Sequence, residues 1–242
     1  MPADLPPAAL ITGANRGLGW ECARQLVAAG WRVFLGMRDA QEGQHRAASL
    51  GDAAVAIPMN VMDIESVRQA ARLVSEQTAC LRLLINNAGI YPSGDANPLT
   101  VGAEEMQRTL LTNVLGPHAV LEAFTPLLAA AGGACVVNVS SGLGSFALCA
   151  GEKAELGAYV GACYGTSKAA LNMLTVSWAK HLRSARILVN AVSPGWCRTD
   201  MGGNQAERSP EQGAQTLLEY AILDPAKGPS GRFFGPEGEL SW

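Results

Sequence analysis

Tyr164 and Lys168 stand four residues apart in a segment with helical periodicity. Side chains at this spacing lie on one face of a helix. A free phenol has a pKa of about 10 and is a weak acid–base catalyst near neutral pH, whereas a nearby ammonium group favours the phenolate and lowers that pKa. We therefore predict a proton-transfer unit in which Tyr164 exchanges a proton with a substrate oxygen. Tyr159 is followed four residues later by Cys163 and lacks such a partner.

A cluster of glycines follows the first apolar segment of the chain, in the stretch Thr-Gly-Ala-Asn-Arg-Gly-Leu-Gly. Glycines let the backbone turn tightly and approach a pyrophosphate, and the N-terminus of a following helix offers free N–H groups to it. The position of the cluster between a strand and a helix predicts a nucleotide-binding loop. Its predicted cofactor contacts are Gly13, Asn15, Arg16, Gly17, Leu18 and Gly19.

Short apolar strands alternate with longer helical patterns along the chain. Strands are predicted over 8–12, 32–36, 53–58, 81–85, 135–139 and 187–192, and helices over 64–79, 103–131 with a kink at Pro117, and a segment through Lys168 and Trp178. This alternation indicates βαβ units with right-handed crossovers and a parallel sheet buried on both faces. The sequence therefore predicts an α/β fold, a doubly wound parallel sheet with helices on both faces, as one domain over 1–242.

Further motifs follow the glycine loop: Asn86-Asn87-Ala88-Gly89, Asn138-Val139-Ser140-Ser141 and Ser193-Pro194-Gly195. Their order and spacing, with the Gly-x-x-x-Gly-x-Gly loop, resemble the short-chain dehydrogenase/reductase family, classical type, which has a Rossmann-type fold. The resemblance implies that Ser141 hydrogen-bonds the substrate oxygen and that Asn113 helps to carry a proton-relay water. It also implies that Lys168 and Tyr164 contact the cofactor, together with Asn87, Ala88, Gly89, Pro194, Gly195 and Thr199.

The choice of nicotinamide cofactor depends on the end of the second strand. Asp39 lies twenty residues past Gly19, a spacing that on its own favours NAD. The resemblance instead implies NADP(H), because Arg38 matches the phosphate-binding arginine of NADP-dependent relatives and Arg16 matches a second one. Two guanidinium groups suit a phosphate dianion. Asn60, with Val61 beside it, stands where relatives carry an aspartate against the adenine, and its amide oxygen can still accept a hydrogen bond.

Apolar and aromatic residues are expected near the carboxyl ends of the strands, where open sheets bind ligands. The candidate pocket residues are Tyr91, Leu143, Phe146, Trp196 and Met201, each of which could equally be core. Ser141 and Tyr164 are separated by more residues than is usual in the family, and the extra segment 146–162 is expected to form a loop or short helix over the cleft. This segment is similar to that of the carbonyl-reductase branch.

We therefore predict NADPH-dependent reduction of a small lipophilic ketone or aldehyde. Two alternatives remain: an NAD(P)-dependent alcohol or steroid-like dehydrogenase working in the oxidative direction, and a non-catalytic NADP-binding sensor. The sensor is disfavoured because silent relatives are expected to lose the tyrosine, lysine or serine, and all three are present here.

Composition argues against several other classes. The net charge is −3 and no run of Lys and Arg forms a basic patch, so nucleic acid is not an expected partner. Six scattered cysteines without a C-x-x-C pair predict no zinc site and indicate reduced core thiols, and hence a cytoplasmic protein. The uncharged stretch 123–151 is interrupted by proline, glycine and polar residues, so no membrane span is predicted.

A low charged fraction of 16% suggests that part of the surface is buried in an oligomer. The family resemblance implies a homodimer or homotetramer that pairs through the helical regions 103–131 and 164–182. Leu171, Leu174 and Trp178 of the second region are candidates for either core or interface.

Overall fold

The computed structural model describes residues 6–95, 97–151, 154–159 and 161–242. The strands are β1 (Ala8–Thr12), β2 (Arg32–Met37), β3 (Ala54–Pro58), β4 (Leu83–Asn86), β5 (Ala134–Val139), β6 (Ile187–Val192), β7 (Phe233–Gly235) and β8 (Gly238–Glu239). The α-helices are α1 (Gly17–Ala28), α2 (Ala40–Leu50), α3 (Ile64–Ser75), α4 (Ala103–Leu110), α5 (Gly116–Ala130), α6 (Phe146–Cys149), α7 (Ala162–Leu182) and α8 (Pro210–Glu219).

The strands form one sheet in the order β3-β2-β1-β4-β5-β6-β7-β8. Each pairing from β3 to β7 is parallel, and β8 pairs antiparallel with β7. The strand order reverses between β1 and β4, and open sheets of this kind bind ligands outside the carboxyl ends of the strands at such a point. The predicted doubly wound α/β fold is confirmed.

Hydrophobic residues cover both faces of the sheet. Along β1, Ala9 and Ile11 pack in a cluster with α1, α2 and α8, whereas Ala8 and Leu10 pack in a second cluster with α3, α5 and α7. Successive residues of a strand point to opposite faces, so a strand that is buried on both sides must be continuously apolar. The two clusters therefore fix helices against both faces of the sheet.

The predicted helix 103–131 is divided by a π-helical turn at Leu111–Leu115, and Pro117 lies in the first turn of α5 rather than at a simple kink. Proline has no N–H and its ring clashes with the carbonyl oxygen four residues earlier. Here that residue is Asn113, and the helix accommodates the proline by widening just before it. Other boundaries shift by a few residues: β2 extends to Met37, α3 ends at Ser75, and β4 begins at Leu83 because the Leu81 N–H donates to the Leu127 carbonyl oxygen instead.

Within the described part of the chain, no helix combines the length and apolar character needed to cross a bilayer. All six cysteines carry free thiols. Of the three α7 residues predicted as core or interface, Leu171 is buried in the core, whereas the Trp178 indole is half-buried and donates to His118 Nδ1 at 3.3 Å.

Candidate active site

The end of β1 is tied to the end of β4 by a side-chain network. The Thr12 hydroxyl oxygen accepts from the N–H groups of Asn87 and Ala88, both at 3.0 Å. The Asn87 amide donates to the carbonyl oxygens of Thr12 and Gly13 at 2.9 and 3.0 Å. The Asn-Asn-Ala-Gly motif therefore holds the glycine loop against β4 at the point where the strand order reverses.

Side chains at Gly13 and Gly19 would block the close packing of the loop. Gly13 has a φ of 64°, which favours glycine, and a β-carbon there would lie 2.9 Å from Ala88 Cα. A β-carbon at Gly19 would lie 2.5 Å from Asn87 Nδ2, so this glycine allows α1 to pack closely on the loop. Gly17 and Leu18 at the start of α1 line a cavity of about 1200 Å³, whereas Gly19, predicted as a cofactor contact, is buried behind the wall.

The two candidate phosphate-binding arginines differ in their surroundings. Both line the cavity. Among the described residues, the Arg38 guanidinium is exposed and makes no ion pair or side-chain hydrogen bond, whereas that of Arg16 is ion-paired with Asp200. Both partners of that pair are largely exposed, and exposed pairs contribute little net stability. Arg16 could therefore exchange Asp200 for a phosphate at small cost.

Asp39, the residue whose spacing from Gly19 favoured NAD, caps a helix. Its Oδ1 accepts from the N–H groups of Gln41 and Glu42, both at 2.9 Å, and so caps the N-terminus of α2. A carboxylate used in this way is held by the helix that follows β2. Asn60 and Val61, predicted against the adenine, also line the cavity, and Asn60 Oδ1 accepts from the Met62 N–H at 3.2 Å.

The predicted proton-transfer residues converge on the same cavity. Ser141 follows β5, while Tyr164 and Lys168 lie on α7, and all three line the cavity. Lys168 Nζ is buried, donates to the Val139 carbonyl oxygen at 2.7 Å and lies 5.4 Å from the centroid of the Tyr164 ring. The Tyr91 ring packs against that of Tyr164 with a centroid distance of 4.8 Å. The geometry places a phenol, a hydroxyl and an amine on one surface.

The electrostatics of the pair differ from the prediction. Burial raises the pKa of Tyr164 to about 12, with the Ser141 hydroxyl opposing this rise, and burial lowers the pKa of Lys168 to about 8. The expectation that the ammonium of Lys168 lowers the pKa of Tyr164 below its usual value is therefore wrong for this structure. The phenol is kept protonated at neutral pH because the charged form of each group is disfavoured away from water.

The lowered pKa of Lys168 predicts a pH-dependent stability. Between its folded value of about 8 and its ordinary value of 10.5, the folded chain binds fewer protons at this site than the unfolded chain. The free energy of unfolding should then rise with pH, by up to about 1.4 kcal/mol per pH unit. Urea unfolding of the wild type and of Lys168→Met from pH 7 to 10 isolates this effect, and the wild type should gain stability relative to the variant. If the free energies of unfolding of the two proteins changed with pH in parallel, the burial of Lys168 would not be the cause.

Asn113 lies in the π-helical turn and is fully buried. Its amide donates to the Ile90 carbonyl oxygen and to Ser167 Oγ, both at 2.9 Å, and its Oδ1 accepts from the Ile90 N–H. The Asn113 side chain does not line the cavity. Pro117 has no N–H for the ordinary α-helical bond to the Asn113 carbonyl oxygen, and π-helical turns occur often at functional sites. The side chain of Asn113 therefore connects the segment after β4 to α7, and its part in a proton relay stays a prediction.

Asp95 is a candidate positioning residue that sequence reasoning missed. It is 1% exposed, and its carboxylate accepts from the N–H groups of Cys163 at 2.6 Å and Tyr164 at 2.9 Å. The residue at the N-cap position of α7 is Gly161, which has no side chain to offer. Asp95 therefore caps the catalytic helix from the segment after β4 and fixes the backbone of Tyr164. No sequence pattern indicates this cap, because Asp95 and Cys163 are 68 residues apart in the chain.

Loss of this cap should affect both stability and rate. Asp95→Ala leaves two buried N–H groups unpaired and should lower the free energy of unfolding by about 1–3 kcal/mol. It should also lower kcat, because the backbone of Tyr164 is released, and Asp95→Asn should recover part of both losses. The matched control is Asp63→Ala, which removes an exposed cap of α3 and should reduce stability alone. Equal kcat in Asp95→Ala and the wild type would exclude a positioning role.

The substrate end of the cavity is built from several segments. Of the predicted pocket residues, Tyr91, Leu143, Trp196 and Met201 line it, but Phe146 is 75% exposed and lies outside it. The prediction for Phe146 is wrong because α6 is capped at Ser145 and turns Leu148, two residues further along, toward the cavity instead. Leu156, Tyr159 and Leu240 are further wall residues that were not predicted. Glu152, Lys153 and Val160 of the extra segment lie outside the described residues.

The residues present fit a nicotinamide dinucleotide. Gly17 and Leu18, which begin α1, line the cavity together with Pro194, Gly195 and Thr199. The first N–H groups of a helix have no partner within the helix and suit a pyrophosphate. Small-molecule sites commonly measure about 300–1,000 Å³. The larger cavity seen here has room for a dinucleotide together with a second small molecule.

Comparison with known proteins defines the class. The sequence profile of the short chain dehydrogenases matches residues 7–210, and the chain belongs to this family. Among its relatives, the short-chain dehydrogenase anuI of Penicillium roqueforti (strain FM164) is 34% identical over 99% of this chain and 98% of its own. Carbonyl reductase (NADPH) 1 of Rattus norvegicus is 32% identical over 98% of each chain. The crystal structure of an NADPH-bound carbonyl reductase from chicken fatty liver superposes with a TM-score of 0.85 at 32% identity, covering 98% of this chain and 100% of that one.

Proposed function

We propose that this protein reduces a small lipophilic ketone or aldehyde with NADPH, and that the Tyr164 hydroxyl supplies the proton. The observation that carries the proposal is the presence of Ser141, Tyr164 and Lys168 on the wall of one cavity that also contains the glycine loop and Arg38. Two of the similar proteins are described as carbonyl reductases with NADPH, which supports the same reaction and cofactor.

Each side chain has a defined part in the reaction. The glycine loop and Arg38 would hold NADPH, which would supply the hydride for the carbonyl carbon and leave as NADP⁺. Ser141 donates a hydrogen bond to the carbonyl oxygen, and Tyr164 transfers its phenolic proton to that oxygen as the alcohol forms. Lys168, held by the Val139 carbonyl oxygen, stabilises the phenolate that remains. One proton from solvent then restores the phenol, so each turnover consumes one NADPH and one proton.

The protonation state of Tyr164 is compatible with the proposed reduction. Reduction needs a phenol that can give up a proton, whereas oxidation of an alcohol needs a phenolate that can accept one. Since burial raises the pKa of Tyr164 to about 12, the phenol is the form present at neutral pH. The resting site therefore holds the proton that reduction requires, and kinetics with both the reduced and the oxidised cofactor separate reduction from the oxidative alternative.

The test is cofactor oxidation by the purified protein, with NADPH and NADH in parallel, against aromatic and aliphatic ketones, aldehydes and diketones. We expect turnover with NADPH and slower turnover with NADH. Tight NADPH binding without turnover of any carbonyl compound would instead support the non-catalytic sensor. Faster turnover with NADH would contradict the assignment of the cofactor.

We also propose that the protein is a homodimer or homotetramer that pairs through α5 and α7. Leu115, just before α5, and Met173 on α7 are 54% and 70% exposed, which leaves apolar surface for a partner. Sedimentation equilibrium that shows only a monomer at micromolar concentration would reject this pairing.

The six free thiols support a reducing compartment such as the cytoplasm, which cell fractionation can check.

A further inference from the structure

The last segment of the chain returns to the substrate end of the cavity. After β7, the chain reverses into β8, and the Leu240 N–H donates to the Phe233 carbonyl oxygen at 2.8 Å. The side chain of Leu240 lines the cavity. This segment is thus part of the wall, although it is distant in sequence from the catalytic residues.

Two hydrogen bonds attach this segment to α6. Ser145 Oγ donates to the Ser241 carbonyl oxygen at 2.7 Å, and the Ala147 N–H donates to the Trp242 main-chain oxygen at 3.0 Å. Ser145 is itself 1% exposed and accepts from the Leu148 N–H, so the same hydroxyl caps α6. Leu148 lines the cavity, and its position is therefore coupled to that of Leu240.

The segment is also held from other sides. The Trp242 ring stacks on Phe233 of β7, with the centroids 5.5 Å apart and the planes at 17°. Pro236, in the turn between β7 and β8, approaches the Pro194–Gly195 turn: a β-carbon at Gly195 would lie 3.3 Å from Pro236 Cγ. Leu240 is therefore fixed between two parts of the wall rather than placed on a free end.

We propose that Leu240 is a specificity-determining residue that, with Leu148 and Leu156, limits the size of the carbonyl substrate. This inference rests on the proposed reductase function. The three leucines come from separate segments, all line the cavity, and carry no polar group that could bind a polar substrate group. Such a surface discriminates by shape, and one methylene in an apolar pocket typically changes kcat/KM by about 10- to 200-fold.

The experiment compares Leu240→Ala and Leu240→Phe with the wild type on methyl ketones bearing a phenyl, a naphthyl or a phenanthryl group. We expect Leu240→Ala to raise the naphthyl-to-phenyl ratio of kcat/KM about tenfold or more, and Leu240→Phe to lower it. The matched control is Phe146→Ala, which removes a large side chain from the same region but outside the cavity and should leave the ratio unchanged. NADPH affinity, measured by fluorescence, should be close to that of the wild type in all three variants.

Binding of the same ketones in the presence of NADP⁺, measured by calorimetry, separates the inference from the function on which it rests. Shifted binding ratios without turnover would support Leu240 as the selector while removing the reductase function. Turnover with ratios unchanged in both Leu240 variants would overturn the inference and leave the function standing. Neither binding nor turnover in the wild type would overturn both.

Discussion

Replacing Tyr164 by phenylalanine should lower kcat for carbonyl reduction by about 10²–10⁴-fold, the usual contribution of a positioned general acid. Phenylalanine fills the same space, so the packing of Tyr91 on the ring at 4.8 Å is kept. The variant loses only the hydroxyl that donates the proton. Because the Arg38 end of the cavity is untouched, NADPH affinity should remain close to that of the wild type.

Steady-state kinetics combined with NADPH titration checks this expectation. The matched control is Tyr220→Phe, because Tyr220 stacks on Phe234 with the centroids 4.1 Å apart and does not line the cavity. It should retain wild-type turnover. Substantial residual kcat in Tyr164→Phe would remove Tyr164 from the acid role, and a parallel loss of NADPH affinity would indicate a general distortion of the site.

Arg38→Ala should weaken NADPH binding by about 10- to 100-fold while changing NADH binding little. Hydrogen bonds to charged groups contribute about 1.5–3 kcal/mol, which corresponds to this range. The exposed guanidinium of Arg38 has no ion-pair partner among the described residues, so no internal salt bridge is lost with it. The NADPH-to-NADH ratio of dissociation constants measures the effect directly.

Arg68→Ala is a suitable control because Arg68 is an exposed arginine of α3 that pairs with Glu65 and does not line the cavity. It tests whether loss of one surface charge alone changes the binding of an anionic cofactor. Equal losses for NADPH and NADH in Arg38→Ala would mean that the guanidinium does not contact the 2′-phosphate. A NADPH-selective loss that persists in high salt would support direct contact, since screening weakens long-range attraction.

Much of the fold could be predicted because its determinants are local. The strands β1, β2, β5 and β6 are apolar runs between helical patterns, and continuous burial on both faces of a parallel sheet requires such runs. The strands β7 and β8 span only three and two residues and carry no periodic pattern of that kind. They form because β6 and the returning segment provide partners for them.

In the candidate site, too, the features that depend on local sequence could be predicted and those that depend on distant contacts could not. The glycine loop and the pair Tyr164 and Lys168 were recognisable because turn geometry and helix geometry depend on near neighbours in sequence. Phe146 was assigned to the pocket wrongly because the face that α6 presents depends on its cap at Ser145 and on its attachment to Ser241.

The amino-acid sequence alone determined the class of fold, the position of the glycine loop and the choice of Tyr164 and Lys168 as the candidate proton-transfer pair, since each depends on spacing along the chain. Only the tertiary structure decided that Asp95 caps the catalytic helix, that Leu240 reaches the cavity, and that the pKa of Tyr164 is raised rather than lowered. Such features depend on burial and on contacts between segments 68 to 96 residues apart. Desolvation is a property of the packed surroundings, and no local pattern encodes it.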